Sequence, residues 1–122
     1  MTLTLGMVNF DTDDAEALGQ WWAEQMGAEI VQNHDGFFVV VAGGSLPVLM
    51  AFQKVDQPTP GKNRLHLDLT AVDLEAEVDR LVQVGARIVG RRGDESFRWV
   101  TMADPQGNEF CVAGQQDAAA SY

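Results

Sequence analysis

Gly27-Ala28-Glu29-Ile30-Val31 returns as Gly85-Ala86-Arg87-Ile88-Val89, and each copy closes a helical pattern opened by acidic residues. An internal repeat constrains the fold strongly, because each copy must be a supersecondary unit built by the same rules. In the first copy Leu18, Trp21, Trp22 and Met26 form one apolar stripe at helical spacing, and Leu74, Val78, Leu81 and Val82 do the same in the second. Helices are expected near residues 13–26 and 73–84. Asp13 with Glu16 reads as a capping box, and Asp73 as the N-cap of the second helix. Gly27 and Gly85 suit the left-handed position that ends a helix.

A strand precedes each helix. In the second copy Leu65, Leu67 and Leu69 alternate with Arg64, His66, Asp68 and Thr70, a period of two. Three apolar runs follow each helix, at 29–32, 37–42 and 48–55 and again at 87–90, 97–102 and 108–113. Turn chemistry separates them: Asn33-His34-Asp35-Gly36 and Gly43-Gly44-Ser45 in the first half, Arg91-Arg92-Gly93-Asp94 and Asp104-Pro105-Gln106-Gly107 in the second. The chain therefore reads as α+β, two β-α-β-β-β modules over 1–57 and 62–114, together one domain over 3–114. The proline-rich segment 56–61 is a short stiff connector, and 115–122 reads as a frayed tail.

The net charge of −10 argues against nucleic acid and anionic membrane as partners, since both need a basic footprint. Residues 1–57 carry −7 of it and residues 58–122 carry −3. Cys111 is the single cysteine, so no disulfide forms within the chain. The opening MTLTLGMVNF has neither a basic flank nor an apolar signal core, and a cytoplasmic location is expected. No apolar run approaches the ~20 residues a membrane helix requires.

Two such modules, with Lys62-Asn63-Arg64-Leu65-His66-Leu67-Asp68-Leu69 opening the second and Asp104-Pro105-Gln106-Gly107-Asn108-Glu109-Phe110 before its last strand, resemble the vicinal oxygen chelate superfamily. Within it the chain is similar to the glyoxalase-like proteins (the glyoxalase, bleomycin resistance and dioxygenase type). The double tryptophan followed by Met26-Gly27 adds to the likeness. The resemblance implies sheets that curl into an open, cup-like barrel with helices outside. It also implies a divalent metal held by the first and last strands of each module. Residue by residue, module two supplies His66 and Glu109. Imidazole and carboxylate suit Zn, Ni, Fe or Mn without selecting among them. The same two residues are the catalytic candidates, a pairing that proton-transfer sites use.

Module one departs from the pattern. Sliding the repeat back places Val8 or Gly6 opposite His66 and Val48 opposite Glu109, and none binds a metal. Asn9 and Gln53 fall on the other strand parity. The expected ligand set is thus a half-site, with any metal bound weakly. Arg64, Asp68, Thr70, Met50, Phe38 and Phe52 are the ligand-binding candidates of the cup, although residues such as Phe38, Met50 and Phe52 are more often core than ligand wall. His66 also suits a hydrogen bond to Asp68, Thr70 or Glu109, and Glu109 an ion pair with Arg64 or Arg98. Trp21 and Trp22 read as core, Cys111 as an inert buried thiol, and Arg91 and Arg92 as a solvated turn. Two function classes stay open. One is a protein that binds a small molecule in its cup, as bleomycin-resistance-like members do. The other is a metal-dependent lyase, isomerase or epimerase. The superfamily closes its cup either within one chain or across a homodimer.

Overall fold

The computed structural model describes residues 5–61, 63 and 65–114, and the chain divides between Pro60 and Gly61 into two compact units. In the first unit, strand β1 (Met7–Thr12) leads into helix α1 (Ala15–Met26), followed by β2 (Glu29–Asn33), β3 (Phe38–Ala42) and β4 (Leu49–Lys54). The sheet order is β1-β4-β3-β2, with β1 parallel to β4 and the other neighbours antiparallel. Among the described residues no helix is long and apolar enough to cross a membrane.

The entry to α1 corrects the expected cap by one residue. Asp14 is the N-cap, its Oδ1 accepting from Ala17 N at 3.1 Å, while Thr12 Oγ1 accepts from Asp14 N at 3.1 Å. The helix ends at Gly27, whose φ of 62° is the left-handed conformation anticipated for it. Trp22 and Leu18 are buried with Val39, Val41 and Phe52, and Trp21 meets Trp22 edge-on at 5.0 Å. Gly19 lets α1 lie close to the sheet, since a Cβ there would stand 2.9 Å from Val39 Cγ1.

The second unit repeats the plan. Strand β5 (Leu67–Ala71) precedes helix α2 (Leu74–Gln83), then β6 (Arg87–Gly93), β7 (Arg98–Ala103) and β8 (Glu109–Gly114). The order is β5-β8-β7-β6, with β5 parallel to β8 and the others antiparallel. Asp73 caps α2 by accepting from Ala76 N at 3.1 Å. Val78 and Leu81 are buried, whereas Val82 is 44% exposed and lies outside the stripe assigned to it. The repeat extends to its irregularities: the ladder slips between Ile30 and Gln32 in one unit and between Ile88 and Gly90 in the other. Each Gly-Ala-x-Ile-Val segment thus ends in the same β-bulge.

Arg91 and Arg92 are not turn residues. They belong to β6, an edge strand that runs on to Gly93, and Arg91 Nη1 donates to Glu75 Oε2 of α2 at 2.8 Å. Arginines suit such an edge because charge discourages pairing with another chain. The turn lies at 94–97, where Asp94 Oδ1 accepts from Ser96 Oγ at 2.6 Å, Ser96 N at 2.9 Å and Phe97 N at 3.3 Å. The serine hydroxyl first, then the two amides, hold the Asp94 carboxyl below its ordinary value. A folded group that titrates below its unfolded counterpart keeps these bonds above the usual aspartate range and loses them as acid protonates it. An NMR titration of the Ser96 and Phe97 amides should therefore give a midpoint below about 3.9. A midpoint at or above that value would show that the carboxylate does not hold the turn.

Candidate functional site

Parallel pairing of β5 with β8 aligns Leu67 with Phe110, Asp68 with Cys111, Leu69 with Val112 and Thr70 with Ala113. Phe110 and Val112 are buried, on the side that packs under α2. By alternation, Asp68, Thr70, Glu109 and Cys111 turn to the opposite, open face. His66 lies just ahead of β5 and joins them, its Nε2 standing 3.2 Å from Asp68 Oδ1. The two side chains are 48% and 61% exposed. Cys111 is half-buried, with Thr101 Oγ1 at 3.6 Å from its sulfur. One donor atom each from His66, Asp68 and Cys111 lies within 4.8 Å of the others.

This grouping differs from the pair taken from the sequence. His66 gathers with Asp68 and Cys111, and Glu109 stands outside that trio. Glu109 is instead fixed through its backbone. Its N donates to Asn63 Oδ1 at 2.9 Å, and its carbonyl accepts from Asn63 Nδ2 at 3.4 Å. The same Nδ2 donates to the Leu65 carbonyl. The Asn63 amide thus extends the parallel pairing ahead of the start of β5, tying the segment that carries His66 to the strand that starts at Glu109.

Asp104 builds the other approach to Glu109. It is 2% exposed, and its Oδ1 accepts from Gln106 N at 2.9 Å, Asn108 N at 2.9 Å and Asn108 Nδ2 at 3.1 Å. Its Oδ2 takes a further bond from Asn108 Nδ2 at 2.9 Å. The Asp-Pro-Gln-Gly-Asn segment is thus a closed Asx turn that delivers Glu109 to the first position of β8. The roles of Asn63 and Asp104 escaped the sequence reading, although both lie in the two segments that carried the resemblance. Arg64 lies outside the described residues.

In the first unit the corresponding positions are apolar, at residues one step from those expected. Aligning the N-caps Asp14 and Asp73 makes Met7 the counterpart of His66, in place of Val8 or Gly6. The strand pairs Val8–Met50 and Leu67–Phe110 make Leu49 the counterpart of Glu109, in place of Val48. Asn9 and Gln53 stand on the open face after all, Asn9 Nδ2 donating to Gln53 Oε1 at 3.2 Å. Met50 and Phe52, named as ligand wall, are 2% and 0% exposed and belong to the core beneath α1, where Phe52 stacks on Phe10 at 5.2 Å. Phe38 pairs with Gln53 and shares its open face, half-buried. A four-residue metal set drawn equally from both modules does not fit these residues. Met7 and Leu49 offer neither oxygen nor nitrogen from their side chains.

Residues 7–113 match a family model described as a glyoxalase-like domain. No curated protein is matched by the sequence. Solved structures share the fold at low identity. A glyoxalase/bleomycin resistance protein/dioxygenase family enzyme from Burkholderia phytofirmans is 20% identical with a TM-score of 0.70, over 92% of this chain and 98% of that one. The genomically encoded fosfomycin resistance protein of Listeria monocytogenes is 11% identical with a TM-score of 0.73, over 93% and 94%. An antibiotic binding protein from a Streptomyces species is 19% identical with a TM-score of 0.67, over 93% and 98%.

Proposed function

The chain belongs to the glyoxalase-like domain family, and from that premise we propose that it binds a small organic molecule, with at most half of the superfamily's usual metal site. One observation carries this reading: Met7 and Leu49 stand where the second unit has His66 and Glu109. Two donors shared with water hold a divalent ion less firmly than the three protein ligands common in catalytic zinc sites. The acidic first half, at −7, favours a ligand that is cationic as well as aromatic, because its charge is attracted while its ring is buried. His66, Asp68, Thr70 and Glu109, all on the open face of the second unit, are the polar contacts in this reading. Among the neighbours in fold, the Streptomyces protein is described as antibiotic binding, which supports the binding reading.

The alternative is a metal-dependent lyase, isomerase or epimerase. Glu109 favours it, since a carboxylate on the same open face as His66 is placed to accept a proton from a bound substrate. Thermal unfolding of the chelator-treated chain against a panel of aromatic cations separates the two. A ligand at a hundred times its Kd adds about 2.7 kcal/mol by mass action, which should raise Tm by several degrees. Methylglyoxal–glutathione isomerisation should stay near background with added Ni2+ or Zn2+. Robust turnover that Glu109→Gln abolishes would establish the enzyme instead.

A further inference from the structure

We propose that His66, Asp68 and Cys111 form a site for a thiophilic divalent ion, Zn2+ or its surrogate Co2+, held entirely within the second unit. The inference goes beyond the binding reading: it draws no ligand from the first unit and leaves Glu109 uncoordinated. Two of the three donors come from hydrogen-bonded strands in register, and the third from the residue just ahead of β5. Asp68 and Cys111 are direct parallel partners, and His66 precedes Asp68 by two residues on the same face, its imidazole already 3.2 Å from the carboxylate.

Tetrahedral zinc with bond lengths near 2.0–2.3 Å sets its donors about 3.4–3.6 Å apart. The imidazole and carboxylate, 3.2 Å apart, lie close to that spacing, and all three donor atoms lie within 4.8 Å of one another. The thiol therefore has at most about 1.4 Å to close, which the rotamer freedom of the exposed His66 and Asp68 allows. One nitrogen, one oxygen and one sulfur are a borderline-soft set, which selects zinc over magnesium or calcium. Three protein ligands leave the fourth position open for an oxygen of water or of the bound molecule.

The test uses the full chain, stripped with chelator, kept reduced and titrated with Co2+. A thiolate bound to Co2+ gives a charge-transfer band in the near ultraviolet. The band should saturate at about one ion per chain, disappear when Zn2+ is added and persist in excess Mg2+. Cys111→Ser and Cys111→Ala should both lose it and weaken binding by about tenfold or more. Far-UV circular dichroism and melting of the two variants confirm that the fold is intact. Glu109→Gln should keep the band at full intensity. The proposal is overturned if the band is absent from the native chain, survives both cysteine variants or vanishes in Glu109→Gln. No organic ligand enters this titration, so its result is independent of the small-molecule reading. Ligand-induced stabilisation without a cobalt band would remove the metal site alone, and a band without such stabilisation would remove the binding reading alone.

Discussion

Asp104→Ala is expected to lower stability by about 3 kcal/mol and to unsettle the start of β8. The carboxylate is buried and accepts from two backbone amides and from the Asn108 side chain. Truncation removes the acceptor these donors share at the centre of a closed turn, which costs more than the net worth of the bonds wherever a donor is shielded from water. The turn's backbone pairs, Asp104 N to Asn108 O at 2.8 Å and Gly107 N to Asp104 O at 2.9 Å, then close around an empty centre. Asp104→Asn keeps an acceptor for the two amides but turns an NH2 group toward the Asn108 side chain. It should cost about 1 kcal/mol. Urea unfolding measures both, as shifts in midpoint at constant m-value. If the two variants were equally mild, the turn would owe its shape to Pro105 and Gly107 instead.

The consequence for the site follows from chain order. Glu109 comes directly after the turn, and Cys111 shares its face two residues on. A loosened turn frees the first β8 pairs, Ala103–Glu109 and Met102–Phe110, before any other part of the ladder. The Asn63 clamp on the Glu109 backbone opposes that fraying from the β5 side. Turn and clamp together set the register that brings Cys111 beside Asp68.

The repeat, its helices and the faces of β5 and β8 were legible because each rests on a strong local period. Leu67 and Leu69 alternate with Asp68 and Thr70, and Phe110 and Val112 with Cys111, so the open face follows from pleat alone. Cross-strand register was not legible. Nothing within either strand says that Asp68 meets Cys111, and so His66 was paired with Glu109 by family pattern. The first unit was misplaced by one residue for a physical reason. From N-cap to closing glycine the first unit is one residue longer, Asp14 to Gly27 against Asp73 to Gly85, so the offset measured at the Gly-Ala-x-Ile-Val repeat sets Val8, and not Met7, opposite His66. The N-caps, which fix where each strand stops, are the sounder anchor. Met50 and Phe52 take the core reading of the two left open, since Leu49-Met50-Ala51-Phe52 has no polar phase until Gln53 and the pattern alone does not choose between core and cup. The arginines of β6 hid a strand, since an edge strand tolerates charge on its solvent side.

Gly44→Ala carries the largest expected effect on the first unit, about 4 kcal/mol or more. At φ 57° any side chain there is in the left-handed region, which by itself costs roughly 1–2 kcal/mol. The larger contribution is steric. A Cβ would stand 2.2 Å from the Met26 carbonyl oxygen and 2.4 Å from that of Gly27, and these backbone atoms cannot swing aside as a side-chain tip would. The close approach exists because the end of α1 is stitched to the β3–β4 connection. Ser45 N donates to the Met26 carbonyl at 3.0 Å, and Ser45 Oγ to the same oxygen at 3.3 Å. Pushing the connection away breaks both bonds and pulls β4 from its place beside β1. Gly27→Ala is the matched control. Its φ of 62° imposes nearly the same conformational cost, yet beyond its own chain neighbours nothing lies within 4 Å of the added Cβ. Chemical unfolding of the two variants should therefore separate them by about 2 kcal/mol or more. Equal losses would show that conformation alone, and not the contact between helix end and hairpin, makes glycine necessary at position 44.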